Sequence, residues 1–314
     1  MSSSPSWFWL TVVGGGLSAV ALCILKRCSR TPIKCASLRL MSGKTVLITG
    51  ANCGLGKATA LELAKRDARV ILACRDLVKA KQAMDDIRQK TTKGELQIAK
   101  LDLSSMSSVK QFCTNINAQE NRLDVLINNA AVMAHPFTIT EDGLEINMAV
   151  NHFGNFLMTN LLLDLLKKSS PSRIVFVSSS LHKFGNINLK YLNSKHNNPY
   201  ADSKLANIYF ARELHLRLKG TGVSVHTLSP GMVNTELGRH RLSKVLKFCL
   251  QPLLGLLIKS PEEGCQTIVH CAISEKLDNV SGGYYANCEK SEWSEISQKN
   301  VPELYQISEK LTGL

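Results

Sequence analysis

The chain has 314 residues, of which 44% are hydrophobic and 20% are charged, and this composition suits one large α/β domain with short appendages. Its formal net charge of +13 favours anionic cofactors or an anionic membrane face, whereas nucleic acid is not an expected partner because the sequence has no zinc-finger spacing and no basic–aromatic RNA motif. The ten cysteines include no Cys-x-x-Cys pair, which indicates free thiols in a reducing compartment and predicts neither a disulfide framework nor a metal site.

The N-terminal stretch predicts a membrane anchor. The segment from Trp7 to Leu25 has no charged residue and would span about 28 Å as a helix, close to the hydrocarbon core of a bilayer. Lys and Arg residues at positions 26, 27, 30 and 34 follow, and the positive-inside rule then places the rest of the chain in the cytosol. We therefore divide the chain into an anchor and basic segment, 1–40, and a catalytic domain, 41–314. A cleaved signal peptide is the alternative, because Ala19-Val20-Ala21 resembles a cleavage site.

From residue 41 onward, strand patterns alternate with helical patterns. This alternation predicts a single α/β domain with a doubly wound, Rossmann-type parallel sheet and helices on both faces. The predicted strands are Thr45–Thr49, Arg69–Ala73, Leu96–Leu101, Leu123–Ile127, Arg173–Val177, Val223–Leu228 and Gly283–Ala286.

A glycine-rich loop follows the first strand and opens a helical pattern. The backbone N–H groups of such a helix N-terminus can bind a pyrophosphate, and a side chain at any of the three glycines would hold the backbone away from it. An ordinary strand-to-helix turn is the alternative interpretation. The predicted dinucleotide-binding residues here are Thr49, Gly50, Asn52, Cys53, Gly54, Leu55 and Gly56.

The end of the second strand bears on the choice of cofactor. Arg75 follows this strand and suits a 2′-phosphate, and Lys57 beside the glycine loop adds positive charge. NADP is therefore the predicted cofactor. The alternative is that Arg75 pairs with the adjacent Asp76 on the surface.

Two more strands end in residues that suit a cofactor. Asp102, followed by Leu103, comes after the third strand, where its carboxylate can accept from the adenine amino group; a helix N-cap is its alternative role. Asn129 and Ala130 come after the fourth strand, in the stretch Asn-Asn-Ala-Ala, whose small residues let the chain pass close to a nicotinamide-ribose.

A serine cluster and a Tyr-x-x-x-Lys pair predict the chemistry. Tyr200 and Lys204 lie four residues apart, so they share one face of a helix. A free tyrosine has a pKa near 10, and bringing it to roughly 7 needs about 4 kcal/mol, which Lys204 and a charged nicotinamide can supply. A nearby serine hydroxyl can bind the substrate oxygen. The pattern predicts hydride transfer between nicotinamide and a carbon, with Tyr200 moving the proton.

The glycine loop, the Asn-Asn-Ala stretch, the serine cluster and the Tyr-x-x-x-Lys pair follow one another in an order that resembles the short-chain dehydrogenase/reductase family. The resemblance extends from about Lys44 to the C-terminus. The resemblance implies a proton relay through Asn151, a catalytic and substrate-binding serine at Ser179, and Tyr200 as general acid–base with Lys204 as its partner. It also implies that Tyr200 and Lys204 hold the cofactor, together with the residues that follow the sixth strand: Pro230, Gly231, Val233 and Thr235.

Within that family, the anchor and the stretches 73–76, 203–207 and 234–240 resemble microsomal retinol dehydrogenases. This resemblance implies NADP(H)-dependent interconversion of retinol and retinal at the endoplasmic reticulum membrane, with the mitochondrial membrane as the alternative. It also implies a possible homodimer through the helix predicted over 143–166. The same chemistry on a steroid or fatty aldehyde, and a non-catalytic cofactor-binding scaffold, are alternatives. An apolar, basic-edged segment at 236–258 predicts either a lid for a lipid-like substrate or a packed helix.

Overall fold

The computed structural model describes residues 33–133, 136–189, 192, 198–234, 237, 258–292 and 300–314. Within these ranges the strands are β1 Thr45–Thr49, β2 Arg69–Cys74, β3 Glu95–Lys100, β4 Val125–Asn128, β5 Ser172–Val177, β6 Val223–Ser229, β7 Gly283–Ala286 and β8 Glu289–Ser291. They form one sheet in the order β3-β2-β1-β4-β5-β6-β7-β8. The predicted α/β architecture is confirmed, and the boundaries of the seven predicted strands agree to within two residues.

The central strands are apolar on both faces because helices cover both sides of the sheet. In β1, Leu47 belongs to one hydrophobic core, whereas Val46 and Ile48 belong to the core on the opposite face. The helices are α1 Gly54–Ala64, α2 Leu77–Arg88, α3 Met106–Gln119, α4 Gly154–Leu161, α5 Leu163–Lys168, α6 Pro199–Arg217, α7 Pro261–Ile273 and α8 Val301–Thr312. Helices α3, α4, α6 and α8 pack on the Leu47 side, and α1, α2 and α7 contribute to the other core.

The sheet is not wholly parallel, because β8 pairs antiparallel with β7. Asn287 and Cys288 join the two strands with φ angles of 54° and 63°. Positive φ at two consecutive residues is typical of a tight hairpin turn. The sequence analysis missed this hairpin because the turn lacks the glycine that usually marks such a connection.

The helix predicted over 143–166 is divided into several shorter helical segments, and most of its residues are buried within the same chain. A helical turn at Ile146–Met148 leads into a π-helical turn, Ala149–Phe153, which continues into α4. Every side chain from 144 to 159 is buried. The C-terminal helix α8 covers part of this surface, since Tyr305 donates to Asn160 Oδ1 at 2.7 Å. The role of this helix in a homodimer stays a prediction.

Two predicted segments lie largely outside the described residues. The anchor from Trp7 to Leu25 belongs to 1–32, and of the proposed lid at 236–258 only residues 237 and 258 are described. Among the helices that are described, none is both long enough and apolar enough to cross a bilayer.

His226 is a buried histidine in the middle of β6. Its ring packs edge-on against Tyr285, and neither ring nitrogen has a hydrogen-bond partner among the described residues. Burial, together with the charges of Arg173, His270 and His215, lowers the pKa of His226 to about 3. The folded protein therefore holds this imidazole neutral at pH values where an unfolded chain would protonate it.

This burial predicts acid sensitivity that a single substitution reduces. Between the ordinary pKa of 6.5 and the folded value of about 3, the unfolded state binds a proton that the folded state does not, so stability falls as the pH falls. In His226→Phe, we expect the slope of unfolding free energy against pH, at about pH 4 to 5.5, to decrease by about 1.4 kcal/mol per pH unit. Urea unfolding at each pH measures the slope, and an unchanged slope would contradict this account.

Candidate active site

The predicted site residues gather at the carboxyl edge of the parallel strands. The chain leaves β1 toward β2 on one side of the sheet, and β4 lies against β1 on the other. Such a reversal of strand order opens a crevice outside the strand ends, where open α/β sheets bind ligands. The glycine loop after β1 and Asn129 after β4 border this crevice.

The glycine loop fits a dinucleotide. A Cβ on Gly56 would lie 2.7 Å from Asn129 Nδ2 and would also collide with the Gly50 carbonyl oxygen. Gly50 has a φ of 65°, and a Cβ there would approach Ala130 Cα at 3.0 Å. Bare backbone is therefore required on both sides of the turn, and it leaves the N-terminus of α1 open for a phosphate. Cys53 is the N-cap of α1 and makes no capping hydrogen bond with its side chain.

Thr49 and Asn129 hold this loop in place. The Thr49 hydroxyl accepts from the backbone N–H groups of Asn129 and Ala130, each at 2.9 Å. The Asn129 amide donates to the carbonyl oxygens of Thr49 at 2.8 Å and Gly50 at 3.3 Å. Both residues were predicted to bind cofactor, and the structure assigns their side chains to the walls of the cradle.

Positive charge lies at the end of β2. Arg75 is exposed, and Asp76 accepts from the Lys79 backbone N–H at 3.0 Å as the N-cap of α2. The surface pairing of Arg75 with Asp76, considered as an alternative, is not among the contacts of the described residues. Lys100, at the end of β3, reaches across and donates to the Arg75 carbonyl oxygen at 2.6 Å. The Lys100 ammonium therefore lies against the Arg75 backbone at the end of β2.

Lys57 contributes less to this charge than the sequence suggested. Its ammonium forms an ion pair with Asp86 on α2, and that pairing offsets its positive charge.

Asp102 does not cap a helix. Ser105 is the N-cap of α3, and its hydroxyl accepts from the Ser108 backbone N–H. Asp102 Oδ1 instead accepts from both the backbone N–H and the hydroxyl of Ser104. The alternative role considered for Asp102 is therefore wrong, because Ser105 lies one turn nearer to the helix. Leu103 is buried in the core on the α3 side.

Ser179, Tyr200 and Lys204 come together near the carboxyl end of β5. Burial raises the pKa of Tyr200 to about 12, while a hydrogen bond with the Ser179 side chain acts to lower it. Burial lowers the pKa of Lys204 to about 8, so this lysine remains largely protonated at pH 7. The Lys204 ammonium lies 5.7 Å from the centre of the Tyr200 ring and donates to the Val177 carbonyl oxygen at 2.8 Å.

Asn151 lies in the π-helical turn and ties two parts of the site together. Its side chain clamps Val132, accepting from the backbone N–H at 2.8 Å and donating to the carbonyl oxygen at 2.9 Å. The same amide donates to the Ser203 hydroxyl at 2.9 Å, and Ser203 in turn donates to the Tyr200 carbonyl oxygen. Asn155, one turn later, donates to the Asn151 carbonyl oxygen at 3.0 Å. Asn151 thus fixes the start of α6 relative to the chain that follows β4.

Further side chains that the sequence analysis missed support the site. His182 is buried, and its Nδ1 lies 2.6 Å from the Ser179 carbonyl oxygen, so this ring fixes the serine backbone. Lys259 donates to the Pro230 carbonyl oxygen at 2.9 Å. Sequence spacing did not signal the Lys259 contact, because Lys259 and Pro230 lie 29 residues apart. No motif singled out His182, although it lies only three residues after Ser179. Pro230 is buried, Gly231 is exposed and Val233 is half-buried, whereas Thr235 lies outside the described residues.

Comparison with known proteins identifies relatives of this chain. A family model for short chain dehydrogenases matches residues 44–245. Retinol dehydrogenase 14 of Mus musculus is 48% identical over 295 residues, covering 88% of this chain and 87% of that protein. Retinol dehydrogenase 13 of Mus musculus is 46% identical over 290 residues, covering 89% of this chain and 87% of that protein.

Solved structures show the same fold. An uncharacterised protein from Mycobacterium paratuberculosis matches with a TM-score of 0.69 and 32% identity, covering 90% of this chain and 98% of that one. A protein from Beutenbergia cavernae, described as an NAD(P)-dependent gluconate 5-dehydrogenase with bound NADP, matches with a TM-score of 0.63. It is 23% identical and covers 79% of this chain and 96% of that one, so this likeness shows the fold alone.

The Thr49 hydroxyl provides a test of the cradle. Thr49→Val removes the acceptor of two backbone N–H groups with little change in size. We expect the unfolding free energy to fall by about 1–3 kcal/mol and NADPH binding to weaken as the loop loosens. Thr49→Ser keeps the hydroxyl and serves as the matched control. Chemical unfolding and NADPH titration measure the two effects, and wild-type values for Thr49→Val in both would rule out this role.

Proposed function

We propose, for a chain that belongs to the short-chain dehydrogenase/reductase family, that it interconverts retinol and retinal with NADP(H) and reduces retinal in cells. The family and the retinol dehydrogenase relatives make the protein an oxidoreductase. The observation that supports the mechanism best is the meeting of Ser179, Tyr200 and Lys204 near the carboxyl end of β5.

In the proposed mechanism, the Tyr200 hydroxyl gives its proton to the carbonyl oxygen of the substrate during reduction. The Ser179 hydroxyl, which interacts with Tyr200, hydrogen-bonds the same oxygen and orients it. A bound nicotinamide supplies the hydride. Burial keeps Tyr200 protonated, which suits an acid, and it excludes water from the proton transfer.

Lys204 balances the charge that develops on Tyr200. Its ammonium faces the Tyr200 ring, and it favours the phenolate that remains after the proton has moved. The protein groups by themselves leave the pKa of Tyr200 at about 12. The reverse reaction therefore depends on the positive charge of the oxidised nicotinamide to bring this pKa toward neutrality. We also propose that the Lys204 ammonium binds the ribose hydroxyls of the cofactor.

Arg75 and Lys100 support the choice of NADP over NAD. An NAD-binding site of this kind places a carboxylate at the end of β2 to accept from the ribose 2′-hydroxyl. Here Asp76 is the N-cap of α2, Arg75 is exposed at the end of β2, and the Lys100 ammonium lies against the Arg75 carbonyl oxygen. A dianionic 2′-phosphate gains charge-assisted hydrogen bonds there, whereas a hydroxyl gains little.

Exposed apolar side chains near the strand ends support a lipophilic substrate. Phe184, in the short helix that follows Ser179, is 71% exposed, and Met232, two residues after Pro230, is 65% exposed. Exposure of such apolar side chains to water is unfavourable, and a ligand or a membrane that covers them would lower the free energy. The relatives are named retinol dehydrogenases, and retinal is an apolar aldehyde that fits this surface. We place the enzyme at the endoplasmic reticulum membrane through residues 1–40, with the catalytic domain in the cytosol.

Removal of the proposed acid tests the mechanism. For Tyr200→Phe we expect kcat for retinal reduction to fall by about 10²–10⁴-fold, the usual contribution of a positioned acid–base group, with NADPH affinity retained. Tyr209→Phe is the matched control, because Tyr209 is also buried on α6 but belongs to the hydrophobic core. Membranes carrying the full chain serve as the enzyme. Equal activity of Tyr200→Phe and wild type would refute the assignment.

Removal of the two cations tests the cofactor preference. For Arg75→Ala and Lys100→Ala we expect the Kd for NADPH to rise on the order of tenfold and the Kd for NADH to stay the same, since each lost contact is charge-assisted. Lys110→Ala is the control, because this exposed lysine also donates to a backbone carbonyl, that of Gly313. Fluorescence titration gives both constants. Parallel losses for NADPH and NADH would argue against 2′-phosphate recognition.

A further inference from the structure

Lys259 is a buried lysine outside the motifs that identify the family. It precedes α7, is 5% exposed, and has its ammonium within the fold. The ammonium donates to the Pro230 carbonyl oxygen at 2.9 Å and to Asn287 Oδ1 at 2.8 Å. The two acceptors lie 29 and 28 residues from Lys259 along the chain, so the ammonium joins three separate segments of the fold.

The backbone of Lys259 also holds the segment that follows β6. Lys259 N donates to the Met232 carbonyl oxygen, and Asn234 N donates to the Lys259 carbonyl oxygen, each at 2.9 Å. Together with the ammonium, these bonds attach Lys259 to both ends of the turn at Gly231. Gly231 has a φ of 82°, and a Cβ there would lie 3.1 Å from the Lys259 ammonium nitrogen. The lysine therefore packs directly beneath the turn.

The other acceptor belongs to the hairpin between β7 and β8. Asn287 sits in the left-handed region at the tip of this hairpin, with a φ of 54°. Through Lys259, the hairpin tip is connected to Pro230. The antiparallel strand β8, which extends the sheet beyond the parallel strands, thus has a link to the active-site edge.

The segment supported by Lys259 lies against the glycine loop. A Cβ on Gly264, in the first turn of α7, would lie 2.6 Å from a Val233 methyl group and 2.8 Å from a Leu55 methyl group. Val233 and Leu55 therefore converge on the same bare backbone of α7. Because Leu55 is in the phosphate-binding loop and Val233 follows β6, the supported segment stands beside the cofactor crevice.

We propose that Lys259 is a positioning residue for the nicotinamide half of the cofactor. Its ammonium joins the hairpin tip at Asn287 to Pro230 and fixes the backbone from Pro230 to Val233 in the shape that the nicotinamide end requires. This proposal rests on the proposed NADP(H) function, and it assigns the adenosine half of the cofactor to other residues, including Arg75 and Lys100.

Two ligands of different length separate this role from a general structural one. NADPH occupies both halves of the crevice, whereas 2′,5′-ADP carries only the adenosine half and the 2′-phosphate. For Lys259→Met, we expect the Kd for NADPH to rise on the order of tenfold, with the Kd for 2′,5′-ADP within about twofold of wild type. Isothermal titration calorimetry of the purified full chain in detergent gives both dissociation constants.

A second variant keeps the proposal testable if Lys259→Met folds poorly. Asn287→Gly removes the other acceptor and tolerates the positive φ at this position. We expect a smaller loss of NADPH affinity in the same direction, and no additional loss when Asn287→Gly is combined with Lys259→Met. Lys44→Met is the matched control, because Lys44 pairs with Asp124 before β1 and should leave both ligands unaffected.

The possible outcomes have distinct meanings. Unchanged NADPH binding in Lys259→Met, or an equal loss for NADPH and 2′,5′-ADP, would overturn the positioning role while leaving the proposed function intact. Wild-type protein that binds neither ligand would overturn the NADP(H) assignment itself, and the positioning role with it. A selective loss for NADPH supports both.

Discussion

The hydroxyl of Thr49 is the contact on which the carboxyl edge of this sheet depends. It joins the end of β1 to the end of β4 by accepting hydrogen bonds from two backbone N–H groups, at the point where the strand order reverses. Asn129 returns the contact by donating to the carbonyl oxygens on either side of the first glycine. Because Gly56 has no side chain, α1 can approach this clamp closely. The loop geometry is thus set by the protein before any phosphate binds.

Burial shifts the pKa values of Tyr200 and Lys204 in opposite directions. It raises the pKa of Tyr200 and lowers that of Lys204, since each charged form loses hydration. A neutral tyrosine suits proton donation in the reductive direction, and a lysine that is still protonated at pH 7 suits the phenolate left behind. The π-helical turn contributes by presenting Asn151 to both Val132 and Ser203, which fixes the start of α6. Tyr200, the proposed acid, therefore lies on a helix that contacts from several elements hold in position.

Local patterns predicted much of this arrangement. The parallel strands follow from runs of apolar residues, and the glycine loop and the Tyr-x-x-x-Lys pair follow from fixed spacings along one element. Lys100 and Lys259 could not be found in this way, because each contacts a backbone carbonyl distant in the chain. His182 lies only three residues after Ser179, but no motif signalled that its ring contacts the Ser179 carbonyl oxygen. Asp102 was given a wrong alternative role because several polar side chains preceded α3 and only the fold decided that Ser105 caps it. The β7–β8 hairpin was missed because Asn287 and Cys288 adopt positive φ without glycine.

Transfer of a labelled hydride tests the central claim most directly. Membranes carrying the full chain would be incubated with retinal and NADPH deuterated at C4 on one face or the other, and the retinol formed would be examined by mass spectrometry. The account predicts that retinol gains one deuterium from one face of the cofactor and none from the other, because the crevice holds the nicotinamide in one orientation. Retinol without deuterium from either labelled cofactor, or label from both faces equally, would contradict it.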